Sequence, residues 1–131
     1  MKWTAEHMDG FTERLLSYTL RYDQGVADLQ ASWFRPEPPT DGFRTLFELD
    51  DGPIMQAMPA ILRMRERYDS SWDDLDIKLL VVDSGESVIR RHVYGGGELV
   101  LKQPELREFC DLFAWLEQQV LAHLPWKNSH G

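Results

Sequence analysis

Leu75-Asp76-Ile77-Lys78-Leu79-Leu80-Val81-Val82, then Asp83-Ser84-Gly85-Glu86, then Ser87-Val88-Ile89-Arg90-Arg91-His92-Val93-Tyr94 is the stretch that decides the fold class. The first run alternates apolar with polar residues and then becomes continuously apolar, as a central strand does. Its valines and isoleucine suit a pleated, buried surface. The four polar residues that follow form a turn, with glycine supplying permissive backbone. The last run returns as a partner strand, and strands this close in sequence pair as an antiparallel hairpin.

Working towards the N-terminus, Asp69-Ser70-Ser71-Trp72-Asp73-Asp74 reads as a polar loop around one tryptophan. Before it, Asp50-Asp51-Gly52-Pro53 reads as a helix start, with aspartate as cap and proline in the first turn. Ile54, Met58, Ile61, Leu62 and Arg65 continue at helical spacing. Pro59 either kinks that helix or marks its true beginning. Arg63, Arg65 and Arg67 crowd the far end, where positive charge suits the macrodipole. Ala27, Leu29, Ala31 and Trp33 alternate with polar residues until Pro36-Glu37-Pro38-Pro39. Phe43, Thr45, Phe47 and Leu49 alternate after Asp41-Gly42, so a second hairpin is expected there. Phe11, Leu15, Tyr18 and Tyr22 share one helical face, with Asp9 as N-cap and Gly25 as stop.

Towards the C-terminus, Gly95-Gly96-Gly97 breaks the chain, and Glu98 to Lys102 is expected as a short strand or an extended lead-in. Pro104 opens a last helix striped by Leu106, Phe109, Cys110, Phe113, Leu116, Val120 and Leu124. Pro125 ends it, and residues 126–131 are expected to fray. The order is α-β-β-α-β-β-α. This predicts a single α+β domain over residues 1–131, a mostly antiparallel four- or five-stranded sheet packed with helices.

Composition narrows the function classes. The chain has 131 residues, 22 acidic against 14 basic, and a net charge of −8. A nucleic-acid binder needs a basic face, so no nucleic-acid partner is expected. No apolar run approaches the ~20 residues that span a bilayer, so no membrane partner is expected. Met1-Lys2-Trp3-Thr4-Ala5-Glu6-His7 holds no apolar leader core, and the lone Cys110 leaves no disulfide framework. The expected location is the cytoplasm.

The chemistry-bearing residues do not form a recognisable catalytic set. His7, His92, His123 and His130 lack metal-ligand spacing, so neither metal nor cofactor is expected. Cys110 lies on an apolar helix stripe and reads as a buried hydrophobe with a raised pKa. Ser84-Gly85 lacks the nucleophile elbow, and Asp50-Asp51 and Asp73-Asp74 read as capping or solvated carboxylates. The three glycines lack the lysine and hydroxyl of a phosphate loop.

The best interaction surface is therefore Asp69, Trp72, Asp73, Asp74 and Asp76, extended by Asp83 and Glu86 if the hairpin tip faces the same way. An aromatic anchor supplies contact energy and carboxylates steer a basic partner. The competing reading is that Trp72 folds back onto the core as a plug, with solvated aspartates around it. The alternative is a small enzyme or ligand-binding domain, with His92, Arg90 or Tyr94 lining a pocket over the sheet.

The helix-hairpin-helix-hairpin-helix order, Ser71-Trp72-Asp73-Asp74-Leu75-Asp76-Ile77-Lys78-Leu79, Ser84-Gly85-Glu86 and Arg91-His92-Val93-Tyr94-Gly95 together resemble the YezG-like immunity proteins of bacterial polymorphic toxins. The resemblance covers about residues 70–95. It implies a bacterial protein that neutralises a basic toxin domain by binding it and has no catalysis of its own.

Overall fold

A computed structural model describes residues 1–8, 14–69, 76–95 and 102–126. Within them the elements are β1 (Lys2–Met8), β2 (Ser17–Asp23), β3 (Val26–Trp33), β4 (Thr40–Glu48), α1 (Gly52–Arg63), β5 (Arg67–Asp69), β6 (Ile77–Asp83), β7 (Val88–Tyr94) and α2 (Leu106–His123). One seven-stranded sheet has the order β4-β3-β2-β1-β6-β7-β5. All neighbours are antiparallel except β5, which runs parallel to β7. The α+β class and the antiparallel character hold. The four or five strands and the expected order do not: seven strands are described, in the order β-β-β-β-α-β-β-β-α.

The largest correction lies at the N-terminus. The helix expected across Phe11 to Tyr22 is strand β2 from Ser17 onwards. Tyr18 and Tyr22 fit a period of four, but with Leu20 they also fit a period of two, and these three are the buried residues. Alternation with Ser17, Thr19 and Arg21 and β-prone tyrosine and threonine permit the strand, and antiparallel pairing with β1 and β3 selects it over the helix. Gly25 is not a helix stop. With Gln24 it forms a two-residue hairpin turn, both residues having positive φ (50° and 83°), the geometry that keeps the twist of the flanking strands. Ahead of it, Trp3, Ala5 and His7 alternate with Lys2, Thr4, Glu6 and Met8 to make β1, which pairs with both β2 and β6 near the middle of the sheet.

Other expectations hold closely. The hairpins β3–β4 and β6–β7 pair as read from sequence. Helix α1 begins beside Pro53 and runs through Pro59. Its cap differs in detail: Asp51 occupies the cap position without a side-chain bond, and Asp50 Oδ1 accepts the Gly52 amide at 3.1 Å. The helix ends at Arg63, so Arg65 and Arg67 lie beyond it, over the rings of Tyr68 and Tyr94. Of residues 98–102, only Lys102 lies among the described residues. Trp126, inside the stretch expected to fray, packs edge-on against Trp33, with ring centroids 5.6 Å apart.

Both helices cover the same face of the sheet. His7, beside Phe113 of α2, shares a face with Leu80 and Arg91 through the register, and Arg91 Nε donates to the Ile61 carbonyl of α1. Helix α2 crosses from Tyr68, near Glu105, to Phe47, which stacks on His123. Leu106, Phe109, Phe113, Leu116 and Val120 are its buried stripe. Cys110 was expected to be buried with them and is only half-buried, because it lies at the flank of that stripe. The opposite face of the sheet carries no described helix.

Candidate functional site

Of the expected acidic surface, Trp72, Asp73 and Asp74 lie outside the described residues. Asp69 ends β5 and accepts from Arg67 Nε at 2.9 Å, while the Arg67 guanidinium lies 4.5 Å from the Tyr94 ring centre. Asp76 is partly enclosed. Its Oδ1 is 2.6 Å from Lys78 Nζ and 3.3 Å from His7 Nε2. Burial alone would push the Asp76 carboxyl up, but the bonds and charges of His7 and Lys78 hold it below its ordinary value. Asp83 Oδ1 accepts the Gly85 amide at 2.8 Å and so shapes the hairpin turn, where Glu86 is exposed. Asp69 and Asp76 stand at one end of the strands, and Asp83 and Glu86 at the other, roughly 20 Å away at the usual rise per residue. The hairpin tip therefore does not continue the surface around Asp69.

The structure gathers a polar cluster that sequence reading missed. His7 is buried between the Tyr18 ring and Phe113, both edge-on, and bonds Asp76. His7 Nδ1 and the Tyr18 hydroxyl have no hydrogen-bond partner among the described residues. Burial is the largest cause that pushes the Tyr18 phenol far above its ordinary value, followed by the Glu117 and Asp76 charges. Arg14 pairs with Glu117 beside them. Burial likewise raises the Cys110 thiol, against the partial opposition of Lys78. A carboxylate-held imidazole is a common acid–base arrangement. Here the Tyr18 and Phe113 rings pack edge-on against the imidazole, and its bond to Asp76 ties β1 to the start of β6. The signal was the alternation of Trp3, Ala5 and His7, which places the imidazole on the inner face.

His92, named for the alternative pocket, is half-buried on the open face, with Nδ1 3.2 Å from the Tyr94 hydroxyl. Arg90 is exposed on the same strand. None of the three hollows described for the molecule is lined by these residues. Among the described residues no group of three or more histidine, cysteine or carboxylate side chains converges as a metal site. Among them, too, no helix is long and apolar enough to cross a membrane.

The hollow with the most evident binding chemistry lies between the two helices. It is an open groove of about 300 Å³, lined by Pro53, Gln56 and Ala57 of α1 and by Glu108, Asp111, Leu112 and Trp115 of α2. On each helix these residues recur at i, i+3 and i+4, so they are neighbours on one face. Trp115 is half-buried, packed on the core from the side, while Glu108 and Asp111 are exposed. Sequence reading followed the apolar stripe of this helix and passed over its flank. A tryptophan one residue off the stripe, with acids one and two turns before it, was the available signal.

No protein-family model matches the chain, and no curated protein matches it significantly.

Proposed function

We propose that this chain is a non-catalytic protein-binding domain that recognises a basic partner. The observation that carries the reading is the groove between α1 and α2. Its apolar floor of Pro53, Ala57, Leu112 and Trp115 is flanked by the carboxylates of Glu108 and Asp111. A half-buried indole gives a partner side chain something rigid to pack against. The flanking carboxylates favour a lysine or arginine beside that anchor and reject acidic segments. The net charge of −8 works in the same direction at longer range. The immunity-protein reading is the specific form of this proposal, in which the partner is a basic toxin domain in a bacterial cell.

The test is capture of partners from the native host on wild-type chain and on two variants, Trp115→Ala and Glu108→Lys/Asp111→Lys, followed by reconstitution with the purified partner. The wild type is expected to retain a basic protein that both variants lose, with folding unchanged by circular dichroism. The on-rate is expected to fall as salt rises. A partner bound equally by all three proteins, or a salt-independent on-rate, overturns the groove as the interface.

A further inference from the structure

We propose that the outer edge of β4 is a pairing surface for a second copy of this chain, joined antiparallel about a two-fold axis at Leu46. The two edges of the sheet are not alike. Strand β5 has three residues, and its Arg67 and Asp69 pair with each other, which leaves a short, charged edge. Strand β4 has nine residues, stands at the other end of the sheet order, and exposes Leu46 at 65%.

The backbone fixes which groups that edge offers. The Leu49 amide donates to the Gly25 carbonyl at 3.0 Å, continuing the register in which Glu48, Leu46 and Arg44 face Val26, Asp28 and Gln30. Hydrogen-bonded and non-bonded pairs alternate along an antiparallel ladder. Counting back from Leu49, the odd-numbered residues of β4 direct their amides and carbonyls to β3. Arg44, Leu46 and Glu48 direct theirs away from the sheet, and none has a backbone partner on that side among the described residues. An unpaired run of this kind is a template for another strand.

Side-chain chemistry selects the occupant. An axis at Leu46 sets leucine against leucine, and it sets Arg44 of each copy opposite Glu48 of the other. All three positions are then hydrogen-bonded pairs, so the backbone and side-chain registers agree. Their side chains share the open face of the sheet, where opposite charges directly across a strand pair attract. Arg44 is already extended along this face by its bonds to Asp28 at 2.6 and 3.1 Å, while its side chain stays 66% exposed. A self-complementary Arg-x-Leu-x-Glu edge fits itself better than it fits an arbitrary strand.

The experiment is sedimentation of the full chain over roughly 10 µM to 1 mM, the range in which weak contacts populate dimers. A concentration-dependent rise from 15.3 kDa towards twice that mass is expected. Arg44→Glu and Glu48→Arg each place like charges opposite one another at two symmetry-related positions, so each is expected to weaken dimerisation on the order of tenfold. The double variant is expected to restore it. Hydrogen exchange of the wild-type Arg44, Leu46 and Glu48 amides is expected to slow with concentration, a readout that needs no variant. A chain that stays monomeric throughout overturns the proposal. So does a dimer whose three amides stay unprotected, or one whose affinity the single reversals leave unchanged or the double reversal fails to restore.

Discussion

Two ends of the same central strand are buried in different ways. At one end of β1, Trp3 stacks on Tyr22, with rings 9° from parallel and centroids 4.9 Å apart. Four residues on, His7 lies under the same helical layer, but its neighbours include Asp76 and Lys78. Ring stacking and apolar packing dominate the first end, where Trp3 Nε1 has no hydrogen-bond partner among the described residues. At the second, folding brings a carboxylate and an ammonium to side-chain exposures of 28% and 12%, which is tolerable only because each satisfies the other. The first end should therefore respond to lost volume and hardly to pH, and the second to pH and to lost partners.

The largest effect is expected from Trp3→Ala. It deletes a side chain only 2% exposed and leaves the Tyr22 ring without its stacking partner. Removing a buried aromatic of this size costs about 3–5 kcal/mol. Against the usual total of ~5–15 kcal/mol, that leaves little margin. Urea denaturation should show the loss at pH 7 and at pH 5 alike. A loss below about 1 kcal/mol would mean that the core at this end is looser than its stacking geometry shows.

Asp76→Asn should come next, at about 2–3 kcal/mol near neutral pH, because it strands the enclosed Lys78 ammonium. The carboxyl is held below its ordinary value near 3.8 in the folded chain. A carboxyl depressed by folding stabilises the fold when ionised, so its contribution is fully present above that value. The contribution is lost as pH falls through it and below. Wild type should therefore lose stability on acidification through this range, and the variant should show a flatter slope there. Equal slopes would remove the ion cluster as a determinant and leave the two ends of β1 alike.

How much of this was legible depended on how unambiguous each period was. The runs Leu75–Val82 and Ser87–Tyr94 admit one reading, and the hairpin formed there. The stripe from Leu106 to Val120 is equally plain. The segment through Tyr18 and Tyr22 satisfied two periods at once, and only pairing with β1 and β3 decides between them. Such long-range pairing is absent from a local pattern. The polar cluster and the groove were missed for a related reason. Asp76 looked like one of several loop acids, yet its partner His7 is 69 residues away. Trp115 was overshadowed by the stronger stripe beside it. Strand β5 has three residues, too short for any periodicity to announce.

The smallest expected effect sharpens the comparison at the Trp3 end. The β2–β3 turn there holds Gln24 at a φ of 50°, a left-handed conformation that costs an ordinary side chain energy, followed by Gly25 at 83°. Gln24 is exposed. Asparagine tolerates this conformation better because its short amide bonds the local backbone, and Asn-Gly is the favoured pair for this turn. Gln24→Asn should therefore stabilise the chain by about 0.5 kcal/mol. The gain should appear as a higher urea midpoint with an unchanged slope, since the buried surface is untouched. It should add to the effect of Asp76→Asn, because the two positions lie at opposite ends of the strands. Non-additivity would show that the two ends of β1 are coupled through the strand, and the separation drawn here would fail.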